Sequence, residues 1–484
     1  MPEALSAVIV WFTFAPVLLS LDWTQPKDCF KKGYVFGFVF NTGIMFWVTF
    51  AMKKYGGMSV LLSVSIMFLL VAFLALYPAI SFFLTARYAR TPLQRVILGS
   101  LFYSVLEWSR AFFPFGGVPW TNPGYALYGA NTFIQALDIV GIHGFNFLIL
   151  FGNWILAEGL SYRANLRPLR SCLLVAVIAV ITCFIYGVFR LKSIDAAMSQ
   201  QTPLSVALIQ GNFTQDQKWV ASTREKIIQT YSGLSKAAIE TAKLDLIVWP
   251  EAALPYSIQK DTPKMPMPLD FLGDTKLIFG ASTYEILGNQ YFYLNSSFLA
   301  SSDGTLVKRY DKQHLVPFGE YVPLEKWIGW FVPSAAGNFF AGKTPTVFPV
   351  GKYRAATIIC YESMFPEISR RMVEEGADFF VNITNDAWFD YTSGPFQHAQ
   401  FGRFRAIEAR RSLLRAANTG VSYWMDPTGE VHDATDLFET KTVHAKAYPL
   451  SIKTIYVRFP WLIPSLLLAA LGFFFLYFRR KNRD

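Results

Sequence analysis

Hydrophobic runs long enough to cross a membrane fill the first 190 residues and recur near the C-terminus. Spanning a hydrocarbon core takes roughly 18 to 20 apolar residues. Five uncharged runs reach or approach that length: Ala4 to Leu21, Tyr34 to Met52, Met58 to Ala86, Ser171 to Phe189 and Phe459 to Phe478. The pattern therefore predicts a polytopic α-helical membrane bundle.

Two weaker runs complete the predicted bundle. One extends from about Val96 to Phe113 and the other from Phe133 to Ala157. They carry Glu107, Arg110, Asp138 and His143, and ionisable groups inside a membrane usually face the interior of a bundle. We predict about six spans in residues 1–191, and a seventh helix with a basic cytoplasmic tail in residues 457–484.

Residues 192–456 lack a run long enough to span and alternate shorter strand and helix patterns. The predicted strands are Ser205 to Gln210, Leu244 to Trp249, Lys276 to Ser282, Tyr291 to Leu299, Thr305 to Tyr310, Arg354 to Ile359 and Asp378 to Thr384. The predicted helices are about Thr223 to Lys243, Phe365 to Gly376 and Gly394 to Ala417, followed by a hairpin across Asp426 to Glu430. Strands first alternate with helices and later cluster, which favours an α/β domain with two sheets faced by helices over a single doubly wound sheet.

Composition indicates a membrane protein, and loop charge predicts the side of the membrane on which this domain lies. Of 484 residues, 53% are hydrophobic and only 16% are charged, which excludes an ordinary soluble protein. Lys and Arg concentrate in alternate connections and in the tail, and such loops stay in the cytoplasm. The large domain and the N-terminus are therefore predicted outside, and only Lys53 and Lys54 break the pattern. The sequence shows no basic stripe interleaved with aromatic residues, so a nucleic-acid partner is not expected.

Three reactive side chains follow predicted strands. Glu251 ends "LIVWPE", Lys312 lies in "RYDKQH" with Glu320 eight residues later, and Cys360 ends "ATIIC". Individually these could be a surface carboxylate, a solvated loop charge and a buried apolar thiol. Together they make chemical sense, because a thiol needs a base or a nearby cation to become a nucleophile at neutral pH. We find no paired His/Cys spacing and expect no metal.

Position separates the four cysteines. Cys172 and Cys183 share a predicted span and Cys29 lies in a loop assigned to the cytoplasm. Cys360 would then be the only cysteine of the outer domain, without a disulfide partner there.

An aromatic-rich stretch, Glu325 to Gly342, lies between the lysine and the cysteine. Its large side chains are Trp327, Trp330, Phe331, Phe339 and Phe340. They could dip into the membrane interface as a lid, or they could pack in the core of the domain.

Several motifs occur together in a recognisable order. "WPEAALP", "YDKQHLVPFGEYVP", "CYE" and "NITNDAWF" resemble the carbon-nitrogen hydrolase (nitrilase) superfamily. With "QGNFTQDQKW", "LEWSRAFFPFGGVPWTNPGYA" and the membrane spans, nearly the whole chain resembles the bacterial apolipoprotein N-acyltransferase family.

The resemblance implies a nitrilase-like αββα sandwich and a role for each matching residue. Glu251 would be the general base, Lys312 the oxyanion-stabilising lysine and Cys360 the nucleophile. Glu320 and Glu362 match supporting carboxylates, and Trp219 and Trp388 match aromatic residues at the substrate entrance.

The implied reaction has two steps and no cofactor. Cys360 takes an acyl chain from a phospholipid, typically phosphatidylethanolamine, as a thioester. The α-amino group of the diacylglyceryl-cysteine of a lipoprotein then accepts that chain. A monomer in the bacterial inner membrane, with its catalytic domain facing the periplasm, is expected.

This sequence departs from the family pattern in two places. The family usually has Gly after "NDAWF", where this chain has Asp390 and then Tyr391. The family also generally has eight spans, whereas about seven are predicted here. We expect the unmatched span to be the first, either because the given sequence starts late or because the bundle tolerates its loss.

Two other functions compete with the acyltransferase. A membrane-tethered amidase would use the same three residues with water as the acceptor. A transporter or receptor would only bind solute and would leave Glu251, Lys312 and Cys360 without a purpose.

Overall fold

The computed structural model describes residues 3–161, 167–328 and 338–482. The chain divides into two compact units. The first comprises Met1–Phe46, Leu61–Ser193 and Thr454–Asp484, and the second comprises Trp47–Val60 and Ile194–Lys453.

Helices build the first unit. They run over Glu3–Ile9, Ala15–Leu19, Pro26–Met45, Leu76–Tyr88, Pro92–Ser109, Asn131–Ile134, Leu137–Ser161, Ile455–Arg458 and Leu462–Lys481, together with most of Val60–Leu74 and of Arg170–Ser199.

Four helical stretches in the described ranges are long and apolar enough to cross a membrane. They are Val60–Tyr88, Leu137–Ser161, Arg167–Ser199 and Leu462–Lys481, and a fifth is reached if the bent pair Pro26–Met45 and Val48–Lys54 counts as one span. Seven spans were predicted. The predicted span from Val96 to Phe113 is not among them, because its helix, Pro92–Ser109, is too polar to meet the same standard of apolarity.

The predicted span from Ala4 to Leu21 is wrong as a single helix, because the chain leaves helical geometry between Ile9 and Ala15. The Asn153 side chain forms hydrogen bonds with the backbone groups that lack helical partners at this break. Its Oδ1 accepts from the N–H groups of Phe14 and Ala15 at 2.9 and 3.2 Å, and its Nδ2 donates to the Val10 carbonyl at 3.0 Å. Irregular backbone is tolerated at membrane depth only where such partners exist.

Glu107, Arg110 and Asp138 are buried and paired, whereas His143 is half-buried. The Arg110 guanidinium lies 2.6 Å from the Glu107 carboxylate. Asp138 accepts from the Tyr186 hydroxyl at 2.8 Å and from Arg190 at 2.7 Å. The expectation that these groups face the interior is confirmed for Glu107, Arg110 and Asp138.

Two glycines one helical turn apart let their helix approach Leu76–Tyr88 closely. A Cβ on Gly33 would lie 2.9 Å from the Ala79 Cα, and one on Gly37 would lie 2.9 Å from the Ala75 Cα. Small residues four apart allow close backbone packing between membrane helices. "GYVFG" carries this signal in the sequence, and our prediction did not use it.

Among the described residues, thirteen strands and six complete α-helices build the second unit. The strands are β1 (Leu204–Gln210), β2 (Leu246–Val248), β3 (Ile258–Gln259), β4 (Lys276–Leu287), β5 (Gln290–Ala300), β6 (Leu306–Asp311), β7 (Val347–Val350), β8 (Tyr353–Ile359), β9 (Phe379–Thr384), β10 (Leu413–Ala417), β11 (Tyr423–Met425), β12 (Val431–His432) and β13 (Lys441–Ala447). The helices are Val48–Lys54, Gln215–Lys218, Arg224–Thr241, Glu325–Ile328, Pro366–Glu374 and Gly394–Ala409.

The strands form two sheets. One has the order β13-β1-β2-β4-β5-β6 with β3 beside β4, and the other has the order β12-β11-β10-β9-β8-β7. A buried hydrogen bond from Ser297 on β5 to Thr357 on β8 joins them. Helix Arg224–Thr241 covers the first sheet, and Pro366–Glu374 and Gly394–Ala409 lie against the second. The predicted α/β sandwich of two sheets faced by helices is confirmed.

The predicted helix from Gly394 to Ala417 is wrong in its second half. The helix ends at Ala409, because Arg410 adopts the left-handed conformation with φ 52°. Leu413–Ala417 then forms β10, which pairs in parallel with β9. Leu, Arg and Ala favour helices, so burial between two strands overrides local propensity here.

We expect Asn153→Leu to destabilise the helical unit. Its Oδ1 serves two backbone N–H groups that no water can reach in a membrane, and each unsatisfied group costs about 1 to 3 kcal/mol. Thermal unfolding in detergent should show the loss. Ser65→Leu is the control, since the Ser65 hydroxyl is exposed and bonds only to the Leu61 carbonyl of its own helix. An unfolding midpoint that falls equally in both variants would contradict the role of Asn153.

Candidate active site

The ends of three strands converge in the second unit. Glu251 follows β2 after two residues, Lys312 follows β6 directly, and Cys360 follows β8 directly. The first two strands belong to one sheet and the third belongs to the other. The two facing sheets thus bring together three residues whose positions span more than 100 residues of the sequence.

Lys312 is a buried cation between two carboxylates. Its side chain is 1% exposed, and its Nζ lies 2.8 Å from Glu320 Oε1 and 3.7 Å from Glu251 Oε1. Burial alone would lower the pKa of Lys312, but the charges of Glu320 and Glu251 raise it above its usual range. The ammonium therefore stays protonated throughout the physiological range.

Hydrogen bonds to both oxygens fix the Glu251 carboxylate. Oε1 accepts from the Asn295 amide at 2.7 Å, and Oε2 accepts from the backbone N–H of Asn385 at 2.8 Å. A Cβ at Gly280 would lie 2.6 Å from the Glu251 Cα, so only glycine allows β4 to approach this closely.

Cys360 sits at a sharp turn beside these charges. Its φ is 51°, a conformation that residues with a Cβ rarely adopt, and it opens a 3₁₀ turn, Cys360–Met364. Burial raises the pKa of the Cys360 thiol, and so does the negative charge of Glu251. Lys312 and a hydrogen bond from Thr384 act in the opposite direction. The thiol is therefore neutral at rest, next to a cation that can stabilise its anion.

Glu362 ties the lysine loop to the cysteine turn. One of its oxygens accepts from the Tyr310 hydroxyl and from the Gln313 N–H, both at 2.7 Å, and the other accepts from the Ile359 N–H at 2.8 Å. The side chain is fully buried. Burial raises the pKa of Glu362, although these hydrogen bonds favour its charged form.

Sequence reasoning missed three of these positioning groups. Asn295 donates to Glu251 and also to Glu320 at 2.9 Å. Lys218 is buried and donates to the backbone carbonyl of Glu251 at 3.2 Å, and burial lowers the pKa of this lysine to about 7. The third is the backbone N–H of Asn385. Two signals were available in the sequence: Asn295 is a polar residue in an apolar strand, and Lys218 directly precedes Trp219.

The two predicted entrance tryptophans are placed differently. Trp219 follows helix Gln215–Lys218 and is 46% exposed. Trp388 is half-buried in the turn after β9, where its ring lies edge-on to Tyr55 with centroids 5.0 Å apart.

The aromatic stretch is described only in part, because Trp330 and Phe331 lie outside the described residues. Trp327 is 78% exposed, which does not suit the core-packing alternative. Phe340 is partly exposed and contacts Phe292, with centroids 4.8 Å apart.

The structure corrects the predicted position of one cysteine. Cys29, predicted in a loop, lies inside helix Pro26–Met45, where its thiol donates to the Asp22 carbonyl.

Among the described residues, the group Asp426, Glu430 and His432 brings possible metal-ligand atoms within 4.8 Å of one another. Hydrogen bonds within its own hairpin already engage the Asp426 carboxylate.

Comparison with known proteins covers both units. Residues 2–155 match the apolipoprotein N-acyltransferase N-terminal domain, and residues 205–448 match the carbon-nitrogen hydrolase family. The apolipoprotein N-acyltransferase of Geobacter metallireducens is 36% identical over 489 residues, which cover 98% of this chain and 92% of that protein. The apolipoprotein N-acyltransferase of Haemophilus ducreyi is 32% identical, over 92% of this chain and 87% of that protein. The one of Methylococcus capsulatus is 30% identical, over 99% of this chain and 95% of that protein.

Similarity of this extent runs through the helical region and the α/β domain alike. The protein is therefore an enzyme, and the chain belongs to the apolipoprotein N-acyltransferase family.

Proposed function

We propose that this enzyme transfers an acyl chain from a phospholipid, phosphatidylethanolamine being the expected donor, to the α-amino group of the N-terminal diacylglyceryl-cysteine of lipoproteins. The chain would be carried between them as a thioester on Cys360. The observation that carries the proposal is the placement of the half-buried Cys360 thiol beside the buried Glu251 carboxylate and Lys312 ammonium.

In the first step, Glu251 takes the thiol proton. This transfer neutralises the carboxylate whose charge opposes the thiolate, so the anion forms beside Lys312 without a competing negative charge on Glu251. The sulfur attacks the carbonyl carbon of the donor ester. Lys312 stabilises the oxyanion, the ester C–O bond breaks, and Glu251 returns the proton to the leaving lysophospholipid.

In the second step, the neutral α-amino group of the acceptor attacks the thioester carbonyl. Glu251 accepts a proton from the nitrogen, the C–S bond breaks, and the proton returns to the Cys360 sulfur. The product is an amide, which is more stable than the thioester, and the free thiol is restored.

Four further residues support these steps. Glu320 holds the Lys312 ammonium at 2.8 Å, and Glu362 joins the lysine loop to the cysteine turn. We assign Trp219 and Trp388 to the substrate entrance. The exposed Trp327 fits a lid that touches the membrane interface.

We propose an inner-membrane location with the catalytic domain, residues 192–456, facing the periplasm. The helical bundle of residues 1–191 and the helix and tail of residues 457–484 would anchor it as a monomer. The distribution of Lys and Arg among the loops and the tail supports this orientation. A membrane-tethered amidase is the enzymatic rival, and the following assay separates it from the acyltransferase. A transporter or receptor that only binds solute does not fit a chain whose relatives are named acyltransferases.

Purified enzyme mixed with phosphatidylethanolamine vesicles and a diacylglyceryl-cysteine peptide should add one acyl chain to the peptide and release one lysophospholipid. An N-acetylated peptide should accept nothing, because its nitrogen cannot attack the thioester. Mass spectrometry of peptide and lipid measures both products.

Two variants complete this assay. Cys360→Ser should abolish transfer, while Cys183→Ser, which alters a half-buried thiol in helix Arg170–Ser199, should retain it. Hydrolysis of a small amide by the folded wild type, without release of lysophospholipid, would support the amidase. Release of free fatty acid without peptide acylation would contradict the proposed acceptor. Full transfer by Cys360→Ser would contradict the proposed nucleophile.

Alkylation of the Cys360 thiol should report the charges around it. Because the pKa of Cys360 is raised, its reaction with iodoacetamide should be slow near pH 7 and accelerate with rising pH. Glu251→Gln should accelerate alkylation about tenfold at a fixed alkaline pH, the factor for one pKa unit, and Lys312→Met should slow it. Both variants should nevertheless lose acyl transfer. Mass spectrometry of the Cys360 peptide gives the rates, and slower alkylation in Glu251→Gln would contradict the electrostatic account.

A further inference from the structure

Residues 47–60 pack against the turn that holds Trp388. The Trp47 and Phe389 rings meet edge-on with centroids 4.8 Å apart, and Tyr55 meets Trp388 in the same way at 5.0 Å. The indole N–H of Trp47 also donates to the Gln397 side chain at 3.2 Å. We call residues 47–60 the clasp.

One ion pair joins the clasp to this turn. Lys54 Nζ lies 2.7 Å from Asp390 Oδ2, with the two side chains 42% and 29% exposed. Lys54 is also one of the two lysines that break the loop-charge pattern. The pair gives a physical reason for a cation at this position.

Asp390 occupies a strained position. Its φ and ψ are 51° and −155°, a region that glycine tolerates far better than residues with a Cβ. Such strain persists only where surrounding contacts hold the backbone in place. The ion pair with Lys54 is a contact that glycine could not make, so the side chain at this position has a use that offsets its strain.

We propose that the Lys54–Asp390 pair is a determinant of donor binding. It holds the clasp on the Trp388 turn, fixes the position of Trp388 and thereby sets the affinity for the phospholipid, and it takes no part in acyl transfer itself. This inference rests on the proposed function of the site. Lys54 and Asp390 are positioning residues, because they act through Trp388.

Steady-state kinetics with phosphatidylethanolamine vesicles test the proposal in Lys54→Gln, Asp390→Asn and the double variant. Each single variant should raise the KM for phospholipid about two- to fivefold, the range expected for a partly exposed ion pair, and leave kcat unchanged. The double variant should match the single ones, because either change removes the whole pair. High salt should raise the KM of the wild type towards that of the variants and leave theirs unchanged.

Two control variants separate donor binding from folding. Lys53→Gln removes a neighbouring exposed charge and should keep the wild-type KM. Asp390→Gly relieves the backbone strain, so it should unfold no earlier than the wild type and still show the raised KM. A fall in kcat, additive effects in the double variant, or an equal KM change in Lys53→Gln would overturn the proposal.

Hydrogen–deuterium exchange distinguishes failure of the clasp from failure of the proposed function. Exchange in residues 47–60 and 386–390 should accelerate in Lys54→Gln and Asp390→Asn and stay unchanged in Lys53→Gln. Unchanged exchange in the first two variants overturns the clasp, whatever the activity. Absence of acyl transfer by the wild type overturns the proposed function, and the exchange rates then still decide the clasp.

Discussion

The buried ammonium of Lys312 is the constraint on which the rest of the site depends. A charge removed from water is costly unless it is paired, and here Glu320 and Glu251 supply the pairing at 2.8 and 3.7 Å. Two carboxylates around one ammonium leave an excess of negative charge. Burial of the Cys360 thiol and this excess of negative charge both raise its pKa, so a third anion is unfavourable while Glu251 is charged.

The fold makes this arrangement rigid. Asn295, in the middle of β5, donates to both Glu251 and Glu320, and its carbonyl accepts from the Lys312 backbone N–H at 2.8 Å. Glu362 connects that loop to the turn at Cys360. The side chains to which we assign the proposed reaction are therefore held by strand ends and hydrogen bonds, and such preorganisation reduces the reorganisation that catalysis requires.

The features that could be predicted from the sequence are those that the local pattern of residues determines. Apolar strands followed by Glu251, Lys312 and Cys360 were visible in the chain, and the structure brings these three residues together. The partners of the site were not visible, because Asn295 and Lys218 acquire their roles through contacts across the sheet. For the same reason the predicted helix from Gly394 continued to Ala417 instead of ending at Ala409, and the break in the first span was not predicted. These features depend on pairing with β9 and on Asn153.

The most direct test of the central claim is the intact mass of the purified protein after incubation with phospholipid vesicles, before any acceptor is added. The account predicts that the wild type gains the mass of one acyl chain, that hydroxylamine removes it, and that Cys360→Ser gains nothing. No gain in a folded wild type, or a gain that persists in Cys360→Ser, would contradict the assignment of Cys360 as the acyl carrier.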